Sequence, residues 1–171
     1  MEHDVRPIEP ADAPALASLL ARNRAWLAPW DPYRPDSFFT EDGQRTEVLA
    51  SIRRREQGTM MPLVITTDGA VVGRMNLNSI VMGAFCSATL GYWVSEDAGG
   101  RGAATAAVGL ATRMAFERLG LHRVEAGTLP HNERSQRVLE KNGFERYGYA
   151  PRYLRIAGEW QDHVLFQRLA D

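Results

Sequence analysis

One stretch constrains this chain more than any other: Gly99-Gly100-Arg101-Gly102-Ala103-Ala104-Thr105, set between a strand-like and a helix-like segment. Leu90 to Val94 before it reads as a strand, and the alanine-rich run after it reads as a helix reaching Leu119. Glycine has no Cβ and reaches φ > 0 freely, so the backbone of such a loop can come close to a ligand. The loop also opens a helix, whose first N–H groups lack intrahelical partners and stand at the positive end of its dipole. That combination suits phosphate oxygens. A triphosphate-binding loop would need Lys-Ser/Thr after its last glycine, where Ala103 and Ala104 stand. A dinucleotide fingerprint would need a third glycine at Thr105 and would lie in the first βα unit. Neither pattern fits. The first expectation is another phosphate-bearing cofactor, and the alternative is a plain strand-to-helix turn with glycines for tightness.

The length of 171 residues suits one domain spanning 1–171, and the 44% hydrophobic and 24% charged shares are those of an ordinary globular protein. A formal charge of −1 creates no global field for nucleic acid or an anionic membrane, so no direct nucleic-acid binding is expected. No apolar run approaches the roughly 20 residues of a membrane span, and Met1 to Pro10 is charged rather than signal-like. A cytoplasmic protein is expected, acting as a monomer or homodimer. Cys86 is the lone cysteine, which excludes an internal disulfide and a multi-cysteine zinc site, and no ligand spacing joins the histidines. No metal is expected, and Cys86 reads as a small, half-buried hydrophobe on a strand rather than as a nucleophile.

Along the chain, Asp12 to Leu27 has a helical period with Asp12 as N-cap and Pro14 in the first turn, and Pro29, Pro32 and Pro35 then break the chain. Thr40 to Gln57 reads as a second helix with Val48, Leu49 and Ile52 on one face, ended by Gly58. Met61 to Thr67 and Ala70 to Leu77 read as strands joined by an Asp68-Gly69 hairpin turn, and third and fourth strands fall within Ser87 to Val94. After the glycine loop and its helix, Gly120 supplies a cap and Arg123 to Leu129 makes another strand. Asn132 to Asn142 is a short helix stopped by Gly143. Strand-like runs follow at Phe144 to Tyr149, Tyr153 to Ile156 and His163 to Leu169, with a turn at Gly158-Glu159. This order predicts an α+β fold with a mixed, mostly antiparallel sheet and flanking helices.

A second constellation follows the strand Arg123 to Leu129: Pro130-His131-Asn132-Glu133-Arg134-Ser135. Asn132 fits an N-cap and Ser135 the third helical position, so each alone could merely finish a helix end. Together with the glycine loop they give two strands that each run into a helix start. If those strands splay, the gap takes an extended amide-bearing chain with its pyrophosphate on the first helix start, which is the shape of the phosphopantetheine arm of coenzyme A.

These segments resemble the GNAT superfamily of N-acetyltransferases, and within it the RimJ/RimL branch that acetylates ribosomal-protein alanines. The likeness is carried by Asn76 to Gly83, Phe85, Leu90-Gly91-Tyr92, the Gly-Arg-Gly-Ala-Ala loop, Pro130-His131-Asn132 with Arg134-Ser135, and Gly143-Phe144-Glu145. Gly148-Tyr149-Ala150, Tyr153 through Leu165 and the early Asn23 to Trp30 stretch extend it over nearly the whole chain. The resemblance implies a GNAT-like fold with splayed central strands, acetyl-CoA as co-substrate, and a protein N-terminus, such as that of a ribosomal protein, as acceptor. Acetylation of a small amine (amino acid, polyamine, antibiotic) and a non-catalytic CoA-binding module stay open beside it.

By the same resemblance Tyr92, Trp93 and Val94 bind the pantetheine arm through their backbone. Gly99, Gly100, Arg101, Gly102, Ala103 and Ala104 cradle the pyrophosphate, Thr105 adds a hydroxyl, and Asn132 holds the pantetheine amide region. Gly99 departs from the Gln or Arg usual at the head of this loop. Leu139 stands where many relatives carry a tyrosine that protonates the leaving thiolate, and Ser135 matches the serine the RimJ/RimL branch offers instead. Strand alternation puts Arg123, Glu125 and Gly127 on one face, which makes Glu125 the candidate general base, with His131 as an alternative relay. Asn23, Trp26, Trp30 and Tyr33 belong to the segment expected to wall the acceptor cleft, although tryptophans at helical spacing also pack. Asn76 and Asn78 share a strand face and are candidates for the peptide groove.

Overall fold

A computed structural model describes residues 1–171. Seven strands form one sheet in the order β1-β2-β3-β4-β5-β7-β6. These are β1 (His3–Pro7), β2 (Met61–Thr67), β3 (Ala70–Val81), β4 (Ser87–Val94), β5 (Arg123–Thr128), β6 (Glu145–Ile156) and β7 (Glu159–Leu169). Every neighbouring pair is antiparallel except β4 with β5. The helices are α1 (Ala13–Arg22), α2 (Arg24–Leu27), α3 (Glu41–Glu56), α4 (Ala103–Glu117) and α5 (Glu133–Lys141). This is the expected α+β architecture.

Strand alternation divides the core between the two faces of the sheet. Leu63, Ile65, Met75, Leu77, Ala88, Leu90, Val124, Ala126 and Phe166 join Ala107, Val108 and Ala111 of α4 and Leu139 of α5 in the main cluster. The small residues of α4 let that helix lie close against the strands. On the opposite face Ile8, Leu16, Val48 and Val64 form a second cluster, with Trp93 packed on it, beneath α1 and α3. Beyond β4 that opposite face carries Arg123 and Glu125 of β5 and Gln167 of β7.

The single parallel pairing decides where the site falls. β4 and β5 pair from Ser87↔Arg123 to Thr89↔Glu125 and then part, although β4 runs on to Val94 and β5 to Thr128. A wedge therefore opens toward the starts of α4 and α5.

Several local expectations are corrected. The segment Asp12 to Leu27 is not one helix: it divides at Asn23 into α1 and α2. The Asn23 side chain is buried, donates to the Leu19 carbonyl at 2.8 Å and to Ser95 Oγ at 3.3 Å, and accepts the Glu96 N–H at 2.8 Å. Asp12 does not cap α1 through its side chain, because its carboxylate is taken by a bidentate pair with Arg6 (2.6 and 2.9 Å) and by the Glu9 N–H. Burial acts to raise the Asp12 carboxyl, but these donors outweigh it and hold it below its ordinary value. In α3 the buried positions are Gln44, Val48 and Ser51, whereas Leu49 is exposed. Ser87 to Val94 is one strand, β3 runs on to Val81, and Phe144–Tyr149 and Tyr153–Ile156 belong to one bulged β6. The last hairpin turns at Ala157-Gly158, with φ of +50° and +85°, rather than at Gly158-Glu159. The Asp68-Gly69 turn has both residues at positive φ, as its dipeptide predicts. The chain also forms β1, for which the sequence pattern alone gives no strand signal.

Candidate active site

The wedge is a cleft of about 1160 Å³ between the ends of β4 and β5 and the starts of α4 and α5, roofed by Trp26, Leu27 and Trp30. Tyr92, Trp93, Val94, Gly99, Gly100, Gly102, Ala103, Ala104, Thr105, Asn132 and Ser135 all line it, so nearly every residue assigned to the donor from sequence meets at one place. Arg101 does not. It lines a smaller hollow of about 160 Å³ at the sheet edge, with Met1, His3, Arg22 and Thr67.

The two helix starts differ in chemistry. At α4 the N-cap is Gly102 at φ +93°, with no side-chain cap, and none of the backbone N–H groups from Gly100 through Thr105 makes a hydrogen bond within the chain. Donors left together at a helix start form a strong anion cradle. At α5 the Asn132 side chain accepts the Ser135 N–H at 3.2 Å, so this start is capped by its own residue. Asn132 Nδ2 has no partner in the chain and is free to donate.

Across the opening, Tyr92 Oη lies 2.8 Å from Ser135 Oγ and 3.4 Å from the Ser135 carbonyl. Burial pushes the Tyr92 phenol up to about 12, against a smaller lowering by Ser135, so it stays protonated and able to donate. A phenol donating to Ser135 Oγ leaves the serine proton free for the cleft. Leu139, one turn further along α5, is fully buried in the main core and takes no part.

Arg134, Arg137 and Lys141 also line the cleft on one side of α5, a basic stripe that sequence reading passed over although its spacing is helical. Arg134 Cζ stands 5.2 Å from the Trp26 ring centre, and Trp30 stacks on His131 at 5.4 Å. α2 is thereby fastened over the start of α5.

Glu125 does not line the cleft. Val124 and Ala126 point into the α4-side core, so Glu125 faces the other way, at the last rung before the strands part. That rung runs Asn78↔Thr89↔Glu125↔Gln167 across four strands, a polar row on the face opposite α4. Glu125 accepts from Tyr147 Oη at 3.0 Å and Arg123 Nη1 at 3.4 Å, and Arg123 also binds Gln167. Burial, followed by the Glu125 contact, pushes the Tyr147 phenol up to about 12. Tyr147 and Gln167 were missed by sequence reading. Asn76 and Asn78 share this face, with Asn76 accepting from Arg74 Nε at 3.4 Å.

Two residues expected in the acceptor wall lie elsewhere. Asn23 is the buried clamp between α1 and the turn after β4. Tyr33 is 80% exposed and lies over Gly158 in the last hairpin, where an added Cβ would stand 2.4 Å from its ring. Among His, Cys, Asp and Glu no group of three could hold a metal ion. No helix is long and apolar enough to cross a membrane.

Comparison with known proteins gives a consistent result. The model of the acetyltransferase (GNAT) domain matches residues 4–145. A Bacillus subtilis protein described as a probable N-acetyltransferase, YjcK, is 37% identical over 161 residues, covering 93% of this chain and 89% of that one. The Escherichia coli ribosomal protein uS5-alanine N-acetyltransferase is 34% identical over 163 residues, covering 94% and 84%. Among solved structures, Mycobacterium smegmatis RimJ in complex with CoA-disulfide superposes with a TM-score of 0.95 at 32% identity, over 98% of this chain and 82% of that one.

Proposed function

The chain belongs to the GNAT acetyltransferase family, and on that premise we propose that it moves the acetyl group of acetyl-CoA to the N-terminal α-amine of a protein, alanine being the acceptor residue and a ribosomal protein the substrate. Family membership makes it an acetyl-CoA-dependent acyltransferase. The observation that carries the site assignment is the run of unpaired N–H groups from Gly100 to Thr105 at the mouth of an open wedge. The narrower choice of acceptor is supported by the relative that modifies uS5 alanine.

In this proposal the backbone of 99–105 and the Thr105 hydroxyl hold the pyrophosphate, and Arg137 and Lys141 add positive charge beside it. The edge of β4 that β5 leaves unpaired offers the backbone groups of Tyr92 and Val94 to the pantetheine arm, and Asn132 Nδ2 donates to one of its amide carbonyls. Acetyl-CoA supplies a thioester carbonyl near the apex of the wedge. A free N–H of Val94 or a neighbour steadies the oxygen as negative charge gathers on it. The amine enters from the opposite face, past Asn76 and Asn78, with Trp26 and Trp30 closing the roof. Glu125 takes the proton that the nitrogen loses as the C–N bond forms. Ser135, oriented by Tyr92, gives a proton to the sulfur as the C–S bond breaks and regains one through solvent, so that amide and thiol leave in balance.

An α-amine has a pKa near ~8 and is partly neutral at pH 7, whereas a lysine near ~10.4 needs a stronger base. A carboxylate already engaged by Tyr147 and Arg123 suits the easier task. The test is incubation with acetyl-CoA and a panel of amines, read by mass spectrometry. An acetylated Ala-starting peptide, with a rate rising through about pH 8, is expected. Modification of a small amine alone, or CoA binding without turnover, contradicts the proposal.

A further inference from the structure

We propose that His3 is a positioning residue for cofactor binding: from the edge strand β1 it holds the Arg101–Gly102 peptide so that the Gly102 N–H faces the cleft. The inference rests on the proposed assignment of the 99–105 loop to the pyrophosphate.

His3 Nε2 lies 3.0 Å from the Arg101 carbonyl oxygen, and Nδ1 lies 2.9 Å from Thr67 Oγ1. A carbonyl only accepts, so Nε2–H donates in this contact, and the other ring nitrogen, Nδ1, accepts a hydrogen bond from the Thr67 hydroxyl. His3 stands directly opposite Thr67 in the β1–β2 ladder, so the ring is anchored on paired backbone.

The peptide geometry supplies the rest. In a trans peptide the C=O and the following N–H point in opposite directions, and no peptide bond in the chain is cis. Drawing the Arg101 carbonyl toward β1 turns the Gly102 N–H the other way. The two sides are distinct, since Arg101 and His3 line the hollow at the sheet edge while Gly100, Gly102 and Ala103 line the cleft. Gly102 at φ +93° lies in a region that glycine enters and leaves freely, so its own backbone does little to hold it there. A tether that fixes it in advance removes ordering cost from cofactor binding.

The test compares acetyl-CoA with S-acetylpantetheine, a donor without pyrophosphate or adenosine, in the wild type, His3→Ala and His3→Gln. His3→Ala is expected to raise KM for acetyl-CoA about tenfold at unchanged kcat, the size of one lost hydrogen bond, and to leave kcat/KM for acetylpantetheine unchanged. His3→Gln keeps an amide N–H in reach of the carbonyl and restores most of the affinity. Thr67→Val, which removes the hydroxyl that sets the ring, gives the same split at roughly threefold. Equal losses with both donors mean that His3 merely supports the sheet edge, which overturns the inference and leaves the loop assignment standing. A wild-type enzyme that uses both donors equally well overturns the loop assignment and the role of His3 with it.

Discussion

The starts of α4 and α5 face each other across one wedge and are finished in opposite ways. α4 begins at a left-handed glycine, with free N–H groups from Gly100 to Thr105 and an external tether from His3. α5 begins at Asn132, whose own side chain satisfies the Ser135 N–H. A helix start that serves a ligand leaves its donors unused, and one that serves the fold consumes them. In the proposed function this contrast puts the charged end of the donor at α4, with Asn132 Nδ2 and Ser135 Oγ of α5 nearer the reacting end.

Gly102→Glu breaks the contrast most severely. It forces a side chain onto φ +93° and sets a carboxylate where phosphate is proposed to sit, so acetyl-CoA binding is expected to fall below detection in calorimetry. Binding at wild-type affinity would return this start to a plain turn. Ser135→Ala addresses the other side. A loss of roughly 10²-fold in kcat, with little change in acetyl-CoA affinity or melting temperature, is expected of a group that donates to the leaving sulfur. Unchanged turnover would reduce Ser135 to a helix-end residue. Asn132→Ala has the smallest expected effect, about 1 kcal/mol in chemical denaturation from the lost cap, together with weaker acetyl-CoA binding. The same substitution principle gives no such loss at α4, which has no side-chain cap to remove.

Both helix starts were legible in sequence because each is written in a few adjacent residues: glycines at 99, 100 and 102, and Asn132 with Ser135 one turn on. The wedge was legible as a consequence, since two strands that each feed a helix start invite a gap between them. What sequence reading missed depends on distant partners. β1 is a short edge strand with charged residues, and only its ladder with β2 defines it. The helix break at Asn23 exists because that side chain reaches Ser95 and Glu96, 72 and 73 positions away. Alternation gave the face of Glu125, but its neighbours Tyr147 and Gln167 arrive through the bulged β6 and through β7. Tyr33 is near the tryptophans in sequence, but the chain carries it past the cleft to Gly158.

The most direct test of the central contrast is amide NMR during titration with CoA and, separately, with pantetheine. Resonances of Gly100 through Thr105 are expected to shift with CoA and to stay in place with pantetheine, while the Asn132 side-chain amide and Ser135 respond to both. Shifts confined to the α5 start, with the 100–105 amides unmoved by CoA, would contradict the account.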